Sequence, residues 1–218
     1  RFSEFSSCHL LTLQRYENNL IYANIFKIIF AKNHKKMSKE ECFGFFGITD
    51  VLDLPDAVWK LLCSPDSDRE TRYCELIRIA GYDPSYDWFR DVYEGDLAER
   101  KSKKQDFTPR EVTELVSMIA GTTGDVHEPT AGTGGLLISW WWQGCRNELP
   151  WKYRPSAHRF NCWEISDRCI PVLLLNLSIR GMTGTVVHGD VLTKEVKAVY
   201  ALENTNDDAL SFSKIKKL

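Results

Sequence analysis

From residue 125 to residue 204 the chain alternates short apolar runs with longer helical ones, and this alternation constrains the fold more than any other feature. "DVHEPTA" (125–131), "RFNCWEI" (159–165), "TGTVVHGDVL" (183–192) and "AVYALEN" (198–204) read as strands, while "GGLLISWWWQGC" (134–145) and "DRCIPVLLLNLSIRG" (167–181) read as helices. Strands joined by helices of that length imply a parallel sheet with right-handed crossovers. The expected class is α/β, a Rossmann-like sheet.

Ahead of the sheet, residues 37–100 carry a helical pattern and form a small N-terminal region. "DLPDAVWKLLCS" places Pro55 in a first turn with Val58, Leu61 and Leu62 on one face. "DSDRETRYCELIRIAGY" offers acidic and serine N-cap candidates, a stripe of Tyr73, Leu76, Ile77 and Ala80, and Gly81 as a stop. "SYDWFRDVYEGDLAER" gives a third helix, and "RKSKK" (100–104) a solvated connector to residues 101–218. Residues 1–36 read either as an amphipathic helix or, because Met37 opens a plausible start in "MSKEECFGFF", as upstream sequence outside the working protein.

A formal charge of −2 and a pI near 6.3 give no global basic field, so DNA contact would come from local patches or another subunit. Seven cysteines without a CxxC pair read as reduced thiols in a cytoplasmic protein, with no metal site. No run approaches the ~20 apolar residues of a membrane helix; "LIYANIFKIIFA" (20–31) is too short and contains Asn24 and Lys27. Trp140, Trp141 and Trp142 cannot share one helix face, so at least one ring should pack on the sheet and another lie at the surface, where a base could stack.

In a doubly wound sheet the ligand binds at the carboxyl ends of the strands, and the first strand-to-helix turn is the usual contact. "EPTAGTGG" (128–135) lies at such a turn, and Gly132, Gly134 and Gly135 allow the backbone close to a ligand. The turn is not a phosphate loop: no Lys-Ser/Thr follows it, and the full G-x-G-x-x-G spacing is missing. Glu128 would also repel a phosphate at close range. A ligand with cationic groups and no phosphate fits better, and S-adenosylmethionine is the obvious candidate. Glu164 ends the second strand, where a carboxylate accepts from both ribose hydroxyls. Asp190 ends the third, placed to accept from an adenine amino group with Ile165 and Val191 against the ring. Upstream, Thr108, Pro109 and Glu111 spell a T-P-x-E capping box, which leaves Phe107 unexplained.

"DFTPREVTELVSMIAG", "VHEPTAGTGGLLI", "CWEIS", "LLLNLSIRGM" and "VVHGDVL" together resemble the N6-adenine DNA methyltransferases, and among them the modification subunit of type I restriction-modification systems. The resemblance spans about residues 105–204 and implies transfer of a methyl group from S-adenosylmethionine to adenine N6 in DNA. It assigns cofactor binding to Phe107, Thr108 and Pro109, and to Glu128, Pro129, Thr130, Ala131, Gly132, Thr133, Gly134 and Gly135. The family's ribose acid falls on Glu164 and its adenine-side acid on Asp190; a helical region before the methylase core is also a family trait.

Glu128 stands where the family usually has Asp, and Thr130-Ala131 where it has Ala-Cys. The family's catalytic Asn-Pro-Pro-aromatic motif would follow the fourth strand. Asn204 falls at the asparagine, but Thr205, Asn206 and Asp207 replace the rest. A flipped adenine needs an acceptor for its amine and a ring to stack on; Asn204 supplies only the first. The chain reaches "SFSKIKKL" where the family's sheet continues, so the fourth strand is expected to be an open edge at which a partner or a second copy could pair. An inactive S-adenosylmethionine-binding partner is the alternative reading; a small-molecule methyltransferase or oxidoreductase is disfavoured by the FTPREV segment.

Overall fold

The computed structural model describes residues 36–96, 108–121, 124–148, 152–209 and 211–218. Residues 1–35, the 100–104 connector and Phe107 lie outside the described residues.

The N-terminal region is helical, as its periodicity requires. In α1 (Lys39–Phe46) the Ser38 hydroxyl accepts from the Glu41 N–H at 3.1 Å, and the Glu41 carboxylate accepts from the Ser38 N–H at 3.0 Å. A single 3-10 turn, Val51–Asp53, leads into α2 (Leu54–Leu62), which buries Val58, Leu61 and Leu62. In α3 (Asp66–Ile79) Tyr73 and Leu76 are fully buried, as is Ala80 just beyond, each large apolar side chain contributing about 1.5–3 kcal/mol. The expected side-chain cap of α3 is not made: its first residue is Asp66 itself, with Pro65 before it, and Asp66 pairs instead with Arg69 and Lys214. α4 spans Arg90–Asp96 and α5 spans Arg110–Ala120.

Among the described residues one sheet of five strands follows, in the order β1 (Val126–Glu128), β2 (Phe160–Glu164), β3 (Gly184–Asp190), β4 (Glu195–Glu203), β5 (Lys214–Lys217). β1, β2 and β3 are parallel, joined through α6 (Gly135–Asn147) and α7 (Cys169–Ser178). Every residue of α7 is buried, with α2 packed against it; Tyr73 Oη bonds Ser178 Oγ at 3.2 Å. The N-terminal helices therefore share one core with the sheet.

The fourth strand differs from expectation. β4 runs antiparallel to β3, pairing Asp190 with Glu195 and Gly184 with Leu202. The reason is covalent: only residues 191–194 join them, whereas a parallel crossover needs a dozen residues or more. Nor is β4 an open edge, because β5 pairs along it and Lys214, Lys216 and Lys217 charge the outer strand. Among the described residues β1 pairs with β2 alone.

Of the three consecutive tryptophans, Trp140 and Trp141 are buried and Trp142 is half-buried against the core. α5 is the reverse of an ordinary amphipathic helix. Thr113 and Ser117 are buried, Ser117 Oγ lying 3.1 Å from Ser139 Oγ in α6, while Leu115, Met118 and Ile119 are exposed. The six described cysteines are free, with Cys42, Cys145, Cys162 and Cys169 buried and Cys63 and Cys74 exposed. No described helix is long and apolar enough to cross a membrane.

Candidate functional site

The cavity at the carboxyl ends of β1, β2 and β3 has a volume of about 570 Å³, within the usual range for small-molecule sites. Its floor is the glycine turn. Gly132 (φ 56°) and Gly134 (φ 98°) adopt the left-handed backbone that only glycine takes without strain. A Cβ on Gly134 would sit 3.0 Å from Leu173 Cδ1, so this glycine lets the turn lie against α7 and is itself below the cavity. The Gly134 N–H closes onto the Ala131 carbonyl at 2.8 Å, and the Ala131 N–H reaches the Trp163 carbonyl of β2 at 2.9 Å.

Glu164 holds the other side. Its two carboxylate oxygens accept from the Gly132 N–H and the Ser166 N–H, both at 2.7 Å, and the side chain is 5 % exposed. Glu128 ends β1 half-buried; burial pushes its carboxyl above the ordinary range, opposed by the Thr130 N–H and by His127. Asp190 ends β3, its carboxyl held below the ordinary range chiefly by the Leu192 N–H at 2.8 Å. Ile165, Val191 and Leu192 form an apolar rim, with Leu192 88 % exposed.

Most of the residues expected from sequence meet here: Thr108, Glu128 through Thr133, Gly135, Glu164, Ile165, Asp190 and Val191 all line the cavity. Pro109 does not; it is the residue before α5, and no side chain caps that helix. The T-P-x-E segment is thus no capping box, and Thr108 turns to the cavity instead.

Asn204 is the clear correction. Because β4 runs backwards, its last residues lie beside Gly184, six strand steps from Asp190, or about 20 Å at ~3.3 Å per residue. The amide is buried, and its nitrogen donates to the carbonyls of Gly181, Asp208 and Ser211 at 3.1, 2.7 and 2.9 Å. It fastens the β4–β5 connection and has no access to the cavity.

Sequence reasoning missed Asp87, Arg90 and Leu192, which also line the cavity. "SYDWFR" carries only a helix-start signal, whereas Leu192, directly after Asp190 and Val191, was legible as rim. Burial pushes the Asp87 carboxyl up, opposed by the Thr133 hydroxyl, the Phe89 N–H, Asn176 and Arg180.

A ligand seated here would meet carboxylates on three sides, an apolar slot on the rim and a backbone turn open to close approach, a set that suits a nucleoside carrying positive charge. Three parallel strands with a glycine turn after the first and acids at their carboxyl ends make this a methyltransferase-like α/β fold. The N-6 DNA methylase family model matches residues 84–209, more than half of the 218, and the chain belongs to that family. The matched span takes in Asp87 and α4 as well as β1 to β4. The family generally takes its methyl group from S-adenosylmethionine. No curated protein matches the chain.

Proposed function

We propose that this chain binds S-adenosylmethionine in the cavity above the glycine turn and serves, in the cytoplasm, as the cofactor-binding part of an adenine-specific DNA methyltransferase of a restriction-modification or phage system. The observation that carries this reading is the set of three carboxylates, Glu128, Glu164 and Asp190, at the ends of three successive parallel strands around one turn. When bound, the cofactor supplies a methyl group made electrophilic by a cationic sulfur. Glu128 would face the cofactor's positive charge, Glu164 would accept from the ribose hydroxyls, and Asp190 would accept from the adenine amine between Ile165 and Val191.

DNA is the proposed substrate, and a second subunit is the proposed partner that helps to hold it. The charge of −2 supports this division of labour. So does the exposed apolar face of α5, since uncovered apolar surface of this kind marks protein contacts.

One observation favours a second reading, an inactive cofactor-binding partner: Asn204 is locked on three carbonyls far from the cavity. Two measurements separate them. Calorimetric titration with S-adenosylhomocysteine should give saturable binding near one to one, and a folded sample that does not bind refutes the cofactor assignment. Incorporation of labelled methyl into DNA by the chain alone would then reject the inactive reading.

A further inference from the structure

The glycine turn is held from outside by a chain of buried side chains, and the first of them comes from the helical region. The Thr133 hydroxyl donates to Asp87 Oδ2. Asn176 Nδ2, from α7, donates both to Asp87 Oδ1 and to the Thr133 carbonyl, each at 2.8 Å. Arg180 fixes that amide, its Nη1 reaching the Asn176 side-chain oxygen at 3.0 Å, and it ties the segment before α4 by donating to the carbonyls of Pro84 and Tyr86 at 2.8 and 2.7 Å. The Phe89 N–H donates to Asp87 Oδ1 at 3.0 Å, so three donors meet the carboxylate, two on Oδ1 and one on Oδ2. Asp87, Thr133, Asn176 and Arg180 are all buried.

We infer that Asp87 is a positioning residue, which acts through Thr133 to hold the glycine turn in the shape that admits the cofactor. The inference rests on the cofactor reading given above. Its strength is that the turn's own closure is a single backbone bond, Gly134 N–H to the Ala131 carbonyl, with no side-chain cap added to it. The N-cap of α6 is Gly134, which has no side chain, so no capping bond of its own fixes Gly132 to Gly135. Thr133 is gripped at both its hydroxyl and its carbonyl, and both grips lead to Asp87, directly or through Asn176. A buried network of this kind orders its members only when every donor and acceptor is matched. Removing the Thr133 hydroxyl leaves one oxygen of a buried carboxylate without its donor.

The test uses Thr133→Val, which keeps the shape and removes the donor, Thr133→Ser, which restores it, and Asp87→Leu. Two readouts are taken on the whole chain: hydrogen exchange of the amides of 132–135 without ligand, and the affinity for S-adenosylhomocysteine. Loss of one hydrogen bond to a buried charged group predicts about a tenfold rise in turn exchange and about a tenfold weaker Kd in Thr133→Val, with the amides of β2 and β3 unchanged. Thr133→Ser should recover both. Wild-type exchange and affinity in Thr133→Val overturn the inference, as does a rise spread evenly over the sheet, which would mark a general structural role. If Asp87→Leu does not fold, the Thr133 pair decides. If the wild type itself does not bind, the cofactor reading fails, while turn exchange in the variants still decides whether Asp87 holds the turn.

Discussion

Replacing Glu164 by glutamine separates its two roles. In the folded chain its carboxylate takes one N–H on each oxygen, Gly132 on one and Ser166 on the other, both at 2.7 Å. Glutamine keeps the volume but turns one acceptor into a donor, so whichever way the amide is set, one backbone N–H faces another donor in a nearly dry site. Losing a charge-assisted bond and stranding its donor costs about 2 kcal/mol. For a chain of this length that lowers Tm by roughly 4–8 °C. The same change removes the charge that would hold the ribose hydroxyls, which should weaken S-adenosylhomocysteine by about tenfold or more, tenfold being ~1.4 kcal/mol. Differential scanning calorimetry reads the first effect and titration calorimetry the second, below Tm. A Tm within a degree of wild type refutes the clamp on Gly132; a normal Tm drop with unchanged affinity refutes Glu164 as a cofactor ligand while leaving its structural role intact.

Gly134→Val forces a branched side chain into φ 98° and against Leu173, so it should lower Tm and abolish ligand binding together; binding at wild-type affinity would show that the turn does not form the floor. Asn204→Ala should cost about 1–3 kcal/mol of stability through loss of the amide that ties the carbonyls of Gly181 and Ser211, with ligand affinity unchanged; a loss of affinity or methyl transfer at constant Tm would return Asn204 to the site. His188 is held below its usual pKa of 6.5, mainly by burial and against the pull of Asp167. Its neutral form is thus favoured by folding, so its share of stability is full above pH 6.5 and falls as pH drops from there through the folded pKa. The Tm difference between wild type and His188→Gln should therefore change between pH 7.5 and pH 5, and a constant difference would contradict the assignment.

The parallel half of the sheet was legible because its signals are local. Each of its strands ends on a carboxylate, the first two are followed by a turn and a helix, and the glycine turn has few structural uses besides close approach. The hairpin was legible too, since the four residues between Asp190 and Glu195 exclude a crossover, whereas the resemblance to a family with a catalytic asparagine after its fourth strand implies a site at Asn204. Thr108 shows a different limit. Its spacing from Glu111 satisfies a capping box, yet Pro109 takes the cap position and Thr108 lines the cavity, and only tertiary packing decides between the two. Asp87 left no signal at all, because its partners Thr133 and Asn176 lie 46 and 89 residues further along.

The cysteines give this chain a built-in clock. Burial pushes the Cys42 thiol to about 12, and those of Cys145 and Cys162 well above their ordinary value, so none is a thiolate at neutral pH. They sit in α1, α6 and β2, with Cys169 opening α7 as a fourth buried thiol. With Cys8, which is outside the described residues, replaced by serine, a thiol reagent should label Cys63 and Cys74 at once and each buried thiol only when its element opens. Labelling followed residue by residue would then report four local opening rates from one sample, and a ligand in the cavity should slow Cys162, paired across the sheet with Glu128, and Cys145, in the helix that follows the turn, more than Cys42.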